Sequence, residues 1–257
     1  MDRQGGLASS AVEGSDPPAA TTGGVPAPTP TRGGRQVIPR PPSARPGAAA
    51  PWSALAGPRR RGITTTRVTA ALARPRGTGE TLPPSRAPLP EAALPAAVLV
   101  ALFDEEGEAR VVLTRRAAHL RAHRGEVSFP GGRLDGEETP EAGALREAAE
   151  EIGLDPRPVT LVGRLSPVST YASASAITPV VGVLPGRPPV VPNAAEVEHV
   201  FDVALAELAD DGVFREEWWS IAGAAPFPVW FFELPDDTVW GATARILVDL
   251  LRVVLGP

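Results

Sequence analysis

The chain has 257 residues, of which 26 are Gly, 31 Pro and none Cys, and its formal net charge is −5. Without cysteine there is no disulfide framework, no zinc–thiolate site and no cysteine nucleophile. Residues 1–95 carry 12 Arg against 5 acids and the remainder 13 Arg against 25 acids, which makes the second part a poor partner for nucleic acid.

Residues 1–95 also hold 17 prolines, 12 glycines and a single aromatic residue, Trp52. Such a segment offers too little apolar surface to offset the entropy of ordering it. Residues 1–90 are therefore expected to be a disordered arm, and 91–257 one domain large enough for its own core. The arm's arginines are scattered and no Lys occurs, so compositional drift explains the segment better than a binding role. The start, MDRQGGLASSAVEGSD, lacks the apolar core of a secretory signal. The longest apolar stretch, Ala96–Phe103, is too short to span a bilayer. The expectation is a cytoplasmic protein with neither membrane nor nucleic acid as partner.

From Ala96 the pattern changes. AAVLVALF and ARVVLTRR read as strands joined by the turn DEEGEA. Residues 117–128 read as a loop with some helix. Thr139-Pro140-Glu141 opens a helix with an N-cap, a proline at the first position and an acid in the first turn, and Gly153 closes it. VTLVGRLS, AITPVVGVL and HVFDVAL read as strands, followed by a short helix over ALAELAD. Trp218-Trp219, PVWFFEL and TVW read as late strands. ATARILVDLLRVVL is a closing helix whose apolar stripe is Ile246, Leu247, Leu250, Leu251 and Val254. Strands mixed with a few helices predict an α/β layered domain around a mixed sheet.

The helix that begins after Thr139 carries the chemistry. At about 100° per residue, with Glu147 as origin, Glu150 lies near −60° and Glu151 near +40°. Leu145, Ala148, Ala149 and Ile152 fall on the opposite face. Like charges three and four residues apart cost about 0.2–0.5 kcal/mol per pair. The helix dipole disfavours them further near a C-terminus. A solvated acidic face is the plain reading, but three carboxylates on one stripe at this end fit a hard divalent cation better. Oxygen donors alone point to Mg²⁺ or Mn²⁺. Upstream, Phe129-Pro130-Gly131-Gly132 puts two glycines where backbone turns tightly or lies close to a ligand. Such a loop beside an acid cluster suits a metal-bridged phosphate.

Gly132, Glu138 and the run Arg146-Glu147-Ala148-Ala149-Glu150-Glu151-Ile152-Gly153-Leu154 resemble the Nudix box, G-x5-E-x7-R-E-U-x-E-E-x-G-U, over 23 residues. Ala148 takes the first of its aliphatic positions. The resemblance implies a Nudix-type α/β/α sandwich that hydrolyses a nucleoside diphosphate linked to another group. It implies Glu147 and Glu151 as principal metal ligands, Glu150 as a third or water-bridged one, and a contribution from the Gly131 carbonyl. It also implies an ion pair between Glu138 and Arg146. Leu113-Thr114-Arg115-Arg116-Ala117, Arg121, Gly125 and Phe129-Pro130-Gly131-Gly132 are similar to the segment that marks the coenzyme A pyrophosphatase branch, with Val112 in place of the first leucine.

That branch implies hydrolysis of coenzyme A or acyl-CoA to 3′,5′-ADP and (acyl-)4′-phosphopantetheine, with Arg116, Arg121, Gly131 and Gly132 contacting the substrate. ADP-ribose and NADH stay open as substrates of the same family, as does a ligand-sensing module without turnover; a homodimer is compatible with any of these. The proton acceptor is Glu150 or a carboxylate from a later loop, Glu196 or Glu198. Arg115, Arg116, Arg121 and Arg124 cluster by sequence, as phosphate grips or as structural ion pairs. His119 and His123 have a chelating spacing with no third ligand, so a loop role or a phosphate contact is the better reading.

Overall fold

The computed structural model describes residues 38, 40–75, 93–120, 123–170, 174–220 and 225–256. In chain order the elements begin with β1 (Arg45–Pro46), α1 (Thr65–Leu72), β2 (Leu94–Glu105), β3 (Glu108–Arg116), β4 (Val127–Ser128) and β5 (Gly131–Arg133). Then come α2 (Pro140–Ile152), β6 (Thr160–Arg164), β7 (Val168–Thr170), β8 (Ser175–Val183), β9 (Val197–Ala204) and the single turn α3 (Leu205–Leu208). The chain ends with β10 (Phe214–Trp219), β11 (Phe227–Glu233), β12 (Thr238–Trp240) and α4 (Gly241–Leu255).

The expected hairpin forms between β2 and β3, with Glu105 opposite Glu108. Its two loop residues, Glu106 and Gly107, both have positive φ, at 51° and 80°. That is the loop geometry whose twist matches the flanking strands. β2 is the centre of an eight-stranded mixed sheet: it runs parallel to β8 and antiparallel to β3 and β5. β9 and β4 pair with β3, while β6 and β7 pair with β8.

Alternate residues of the central strands feed two cores, as a period-two pattern requires. Ala97, Leu99, Ala101 and Phe103 of β2 pack under α2 with Ala144, Ala148 and Ile152. Val100 and Leu102 face the other way, toward α1, α4 and a second, antiparallel sheet of order β1-β10-β11-β12. The result is an α/β/α sandwich with α2 on one face and α1 and α4 on the other. Helix α4 is buried far beyond the stripe read from its sequence, because it lies between the large sheet and the small one. Among the described residues, no helix is long and apolar enough to cross a membrane.

Two expectations are corrected. Residues 117–128 contain no helix among those described; they fold back as a β-turn-rich loop ending in β4. Gly125 N–H donates to Arg116 O (3.0 Å) and Arg116 N–H to Glu126 O (2.9 Å), with His123 and Gly125 at positive φ. These bonds divert the backbone from helix. The arm expected to be disordered is also ordered in part, because residues 40–75 pack into the core. Of that expected arm, residues 1–37, 39 and 76–90 lie outside the described residues.

Trp52 explains how a proline-rich segment reaches the core. Its ring is parallel to Phe232, with centroids 6.4 Å apart, and meets Phe214 edge-on at 5.3 Å. Its indole N–H donates to Ala209 O at 2.9 Å. Ile63, Val68 and Ala71 join the same core. Helix α1 starts at the N-cap Thr64, and Asp104 of β2 accepts from both the N–H and the hydroxyl of Thr65 (2.8 and 2.7 Å). One large aromatic ring needs no regular structure around it to be buried. Trp52→Ala is therefore expected to cost about 3–5 kcal/mol in urea denaturation of the full chain, the range for emptying a large core site. A loss below about 1 kcal/mol would return this segment to the status of an appendage.

Candidate functional site

Helix α2 is bounded as its sequence requires. Thr139 caps it by accepting from Ala142 N–H, and Gly153 ends it at φ 63°. Leu154 N–H returns to Ala148 O and Gly153 N–H to Ala149 O (3.2 and 3.0 Å), closing the C-terminal turn. Its apolar side buries Ala144, Ala148 and Ile152 under the sheet, which turns the acidic stripe toward strand β5 and the end of β3.

The stripe is graded in exposure. Glu150 is open to solvent, Glu147 is half-buried, and Glu151 is 3% exposed. Glu151 Oε2 accepts from Gly131 N–H at 3.1 Å, and its Oε1 lies 3.6 Å from Arg116 Nη1. Burial pushes its carboxyl up to about 7, with the charges of Glu196 and Glu147 adding to the rise; the Gly131 amide and Arg116 oppose it. Glu147 is also raised, first by burial and then by Glu150 and Glu196, with Arg146 pulling it back.

Arg146 organises the outer half. Its Nε and Nη2 grip Glu138 (3.1 and 3.0 Å), and Nη2 also donates to Arg133 O at 3.0 Å. Its Nη1 reaches Glu147 at 3.0 Å and Glu150 at 3.1 Å. The guanidinium holds the Glu138 carboxyl below the usual range. The implied Glu138–Arg146 pair is thus present, and it ties the loop before α2 to the helix.

The two glycines answer to different neighbours. A Cβ on Gly131 would stand 2.4 Å from the backbone oxygen of Ala97 and 2.6 Å from Val98 Cα. On Gly132 it would stand 2.4 Å from Glu147 Oε1, at the end of a movable side chain. The contact Gly131 makes with the stripe is through its N–H.

Of the later-loop carboxylates, Glu196 is the one whose charge acts on both Glu147 and Glu151. Glu198 falls where the β3–β9 register shifts, between His199 opposite Arg115 and Val197 opposite Arg116. Arg116 is half-buried beside Glu151, and its Nε is buried with no hydrogen-bond partner among the described residues. Arg115, next in sequence, points to the opposite face and is buried against Asp237, with Nη2 donating to Asp236 O at 2.6 Å. Its role is structural. Arg124 is exposed, and Arg121 lies outside the described residues. His119 Nε2 hydrogen-bonds Ala195 O at 3.0 Å, and His123 Nδ1 pairs with Glu126 at 2.9 Å, so the two rings serve separate loops.

Among the described residues, no three His, Asp or Glu side chains converge in a metal-holding cluster. Glu147 and Glu150 turn to Arg146 instead, and Glu151 to Gly131 and Arg116. The donor set nevertheless fits a hard cation. All three donors are carboxylates of one helix face, and the two more buried ones are held above their usual pKa by burial and by repulsion from neighbouring carboxylates, which a divalent charge would relieve. Sequence reasoning missed Asn193, whose N–H donates to Glu151 O at 2.8 Å at the end of this helix. The Pro192-Asn193 pair was its only signal, an ordinary turn dipeptide.

The comparisons with known proteins fall on this region. The NUDIX domain model matches residues 93–221. Nudix hydrolase 22, chloroplastic, of Arabidopsis thaliana is 41% identical over 167 residues, covering 62% of this chain and 55% of its own. The uncharacterized Nudix hydrolase NudL of Salmonella newport is 38% identical over 141 residues, covering 54% of this chain and 72% of its own. The crystal structure of the Nudix hydrolase RenU from M. smegmatis shares 27% identity, covers 46% of this chain and 74% of its own, and superposes with a TM-score of 0.40. The chain spans a little over half the length of the two Arabidopsis relatives it matches, 55% and 58%.

The glycines lead to a paired expectation. Gly131→Ala should lower stability by about 1–3 kcal/mol, since backbone must move. Gly132→Ala should melt within about 2 °C of the parent but lose activity, because only the Glu147 carboxylate is displaced. Thermal melting of both variants checks this, and equal melting losses would refute it.

For the metal-free protein, Glu151 gives a pH dependence of definite sign. Its folded-state pKa of about 7 lies above the ordinary 4.5, so between these values the folded state binds more protons than the unfolded one. Stability therefore falls as pH rises through that window, by up to about 3 kcal/mol. Glu151→Gln should flatten the slope and raise the urea midpoint at pH 8. An unchanged slope would contradict the buried-carboxylate assignment.

Proposed function

Because the chain belongs to the Nudix family, we propose that it is a Mg²⁺- or Mn²⁺-dependent pyrophosphohydrolase acting on coenzyme A or acyl-CoA. The observation that carries the substrate assignment is Arg116. It belongs to the Leu113-Thr114-Arg115-Arg116 segment that resembles the coenzyme A branch, and its guanidinium lies 3.6 Å from the most buried carboxylate of the stripe, with Nε unpartnered among the described residues. An arginine there, with donors to spare, suits a phosphate brought against the carboxylates.

Glu147, Glu150 and Glu151 would hold the cation, after Glu147 and Glu150 leave Arg146. Held there, a divalent ion would supply Lewis acidity, lowering the pKa of a water and offsetting the charge of the diphosphate. The chain's own residues do the rest. Arg116 exchanges Glu151 for a phosphoryl oxygen and fixes the diphosphate in place. Gly131 and Gly132, having no side chains, let the substrate approach the backbone of β5. Glu196 takes the proton of the water as its oxygen bonds to phosphorus. The anhydride P–O bond then breaks, releasing 3′,5′-ADP and 4′-phosphopantetheine. Arg146 keeps Glu138, and with it the loop before α2, in register through the cycle.

Coenzyme A, ADP-ribose and NADH supplied side by side with Mg²⁺ test the reading. The expected result is turnover of coenzyme A at a kcat/KM at least about tenfold above the others. A preference for ADP-ribose or NADH would overturn the substrate assignment while leaving the hydrolase. Ligand binding without turnover under Mg²⁺ or Mn²⁺ would make the domain a sensing module. Glu151→Gln should reduce kcat by at least about 10³-fold, and Glu196→Gln by about 10²–10⁴-fold, the range for removing a proton acceptor.

A further inference from the structure

We propose that Asn193 is a positioning residue that holds Glu196 against the carboxylate stripe of α2. The proposal rests on the reading of Glu196 as proton acceptor and adds what keeps it in place.

The segment 191–196 lies between the end of α2 and the end of β3, bonded to both. Val191 N–H donates to Ile152 O and Asn193 N–H to Glu151 O, each at 2.8 Å. These are helix-end carbonyls that would otherwise lack partners. One of them belongs to the residue whose carboxylate is the most buried of the stripe. From this anchor Asn193 builds a turn. Its side-chain Oδ1 accepts from Ala195 N–H at 3.1 Å, and its backbone oxygen accepts from Glu196 N–H at 2.9 Å and Val197 N–H at 2.8 Å. From the other side, Ala117 N–H donates to Glu196 O at 2.8 Å, and His119 hydrogen-bonds Ala195 O at 3.0 Å. The backbone of Glu196 is thus held at both its N–H and its C=O.

This clamp has a purpose in electrostatics. Glu196 is exposed, and its charge is repelled by Glu147 and Glu151. An unrestrained loop would let that repulsion carry it away from the stripe. The turn supplies the opposing constraint. Asparagine suits the position because its amide oxygen forms such turns without adding a further negative charge beside the stripe and Glu196, as aspartate would. Serine keeps a turn-forming oxygen, more weakly; alanine keeps none.

The test uses the full chain, Asn193→Ala, Asn193→Ser, Glu196→Gln and the double variant Asn193→Ala/Glu196→Gln. Each is assayed on whichever of coenzyme A, ADP-ribose and NADH the parent hydrolyses fastest with Mg²⁺. Asn193→Ala should lower kcat about tenfold or more with KM within about threefold, as expected when a reacting group is misplaced. Asn193→Ser should stay within about threefold of the parent, and Asn193→Ala should add nothing to Glu196→Gln, because the cycle closes on one shared function.

A second readout needs neither metal nor turnover. Amide hydrogen exchange at Ala195 should speed up at least about tenfold in Asn193→Ala and recover in Asn193→Ser, with α2 unchanged. A kcat loss that persists in full in the Glu196→Gln background overturns the proposal, as does unchanged exchange at Ala195. Normal kcat in Asn193→Ala with a slow Glu196→Gln overturns the role of Asn193 alone. A Glu196→Gln variant as active as the parent overturns the assignment of Glu196, and the role of Asn193 falls with it.

Discussion

The arrangement turns on a carboxylate buried where charge is costly. Glu151 is taken almost wholly out of water, and its compensation is one backbone N–H from Gly131 and an arginine at 3.6 Å. That is thin payment for a desolvated charge, which is why the group is held near pH 7 in its proton affinity. The surroundings are arranged to keep it there. Strand β5 must lie against β2 for the Gly131 amide to face the helix, and only glycine fits that crossing. Helix α2 must bury its small apolar face for the stripe to face β5.

Two arginines divide the stripe between them. Arg146 restrains the outer carboxylates and the loop before the helix through partly exposed ion pairs, each a weak interaction in water. Arg116 meets the inner carboxylate from the end of β3, within a less hydrated setting. This gradient matters for the proposed chemistry. Exposed pairs exchange partners at little cost, so the outer carboxylates are available to a cation, while the inner one changes its partner only when something better arrives. The most deeply buried parts lie behind, where β2 and β8 run side by side beneath α2 and α4 is enclosed between two sheets.

The elements with strong periodicity were legible one by one. The β2–β3 hairpin, both ends of α2, the later strands and α4 occur where alternation, caps and apolar spacing put them. The short strands β4 and β5 were not legible, since Val127-Ser128 and Gly131-Gly132-Arg133 carry no run of β-branched or aromatic residues to mark them. Residues 40–75 were misjudged for a related reason. Composition averages over a segment, whereas burial depends on single residues, and here Trp52, Ile63 and Val68 suffice to anchor it. In the site, the stripe of Glu147, Glu150 and Glu151 was readable from helical spacing, but its gradation from exposed to buried was not.

Local order along the chain therefore marked out the candidate residues: glycines before the helix, carboxylates on one face of it, an arginine at the end of the strand before. Tertiary structure alone decided how they are partnered. Adjacent arginines in β3 took opposite roles because successive side chains in a strand point to opposite faces, Arg116 toward the stripe and Arg115 into a buried pair with Asp237. Glu196, about 45 residues beyond α2, was drawn beside it by hydrogen bonds to the helix end and to the turn after β3. Contacts across such separations depend on how sheets and helices pack, and no local pattern encodes them.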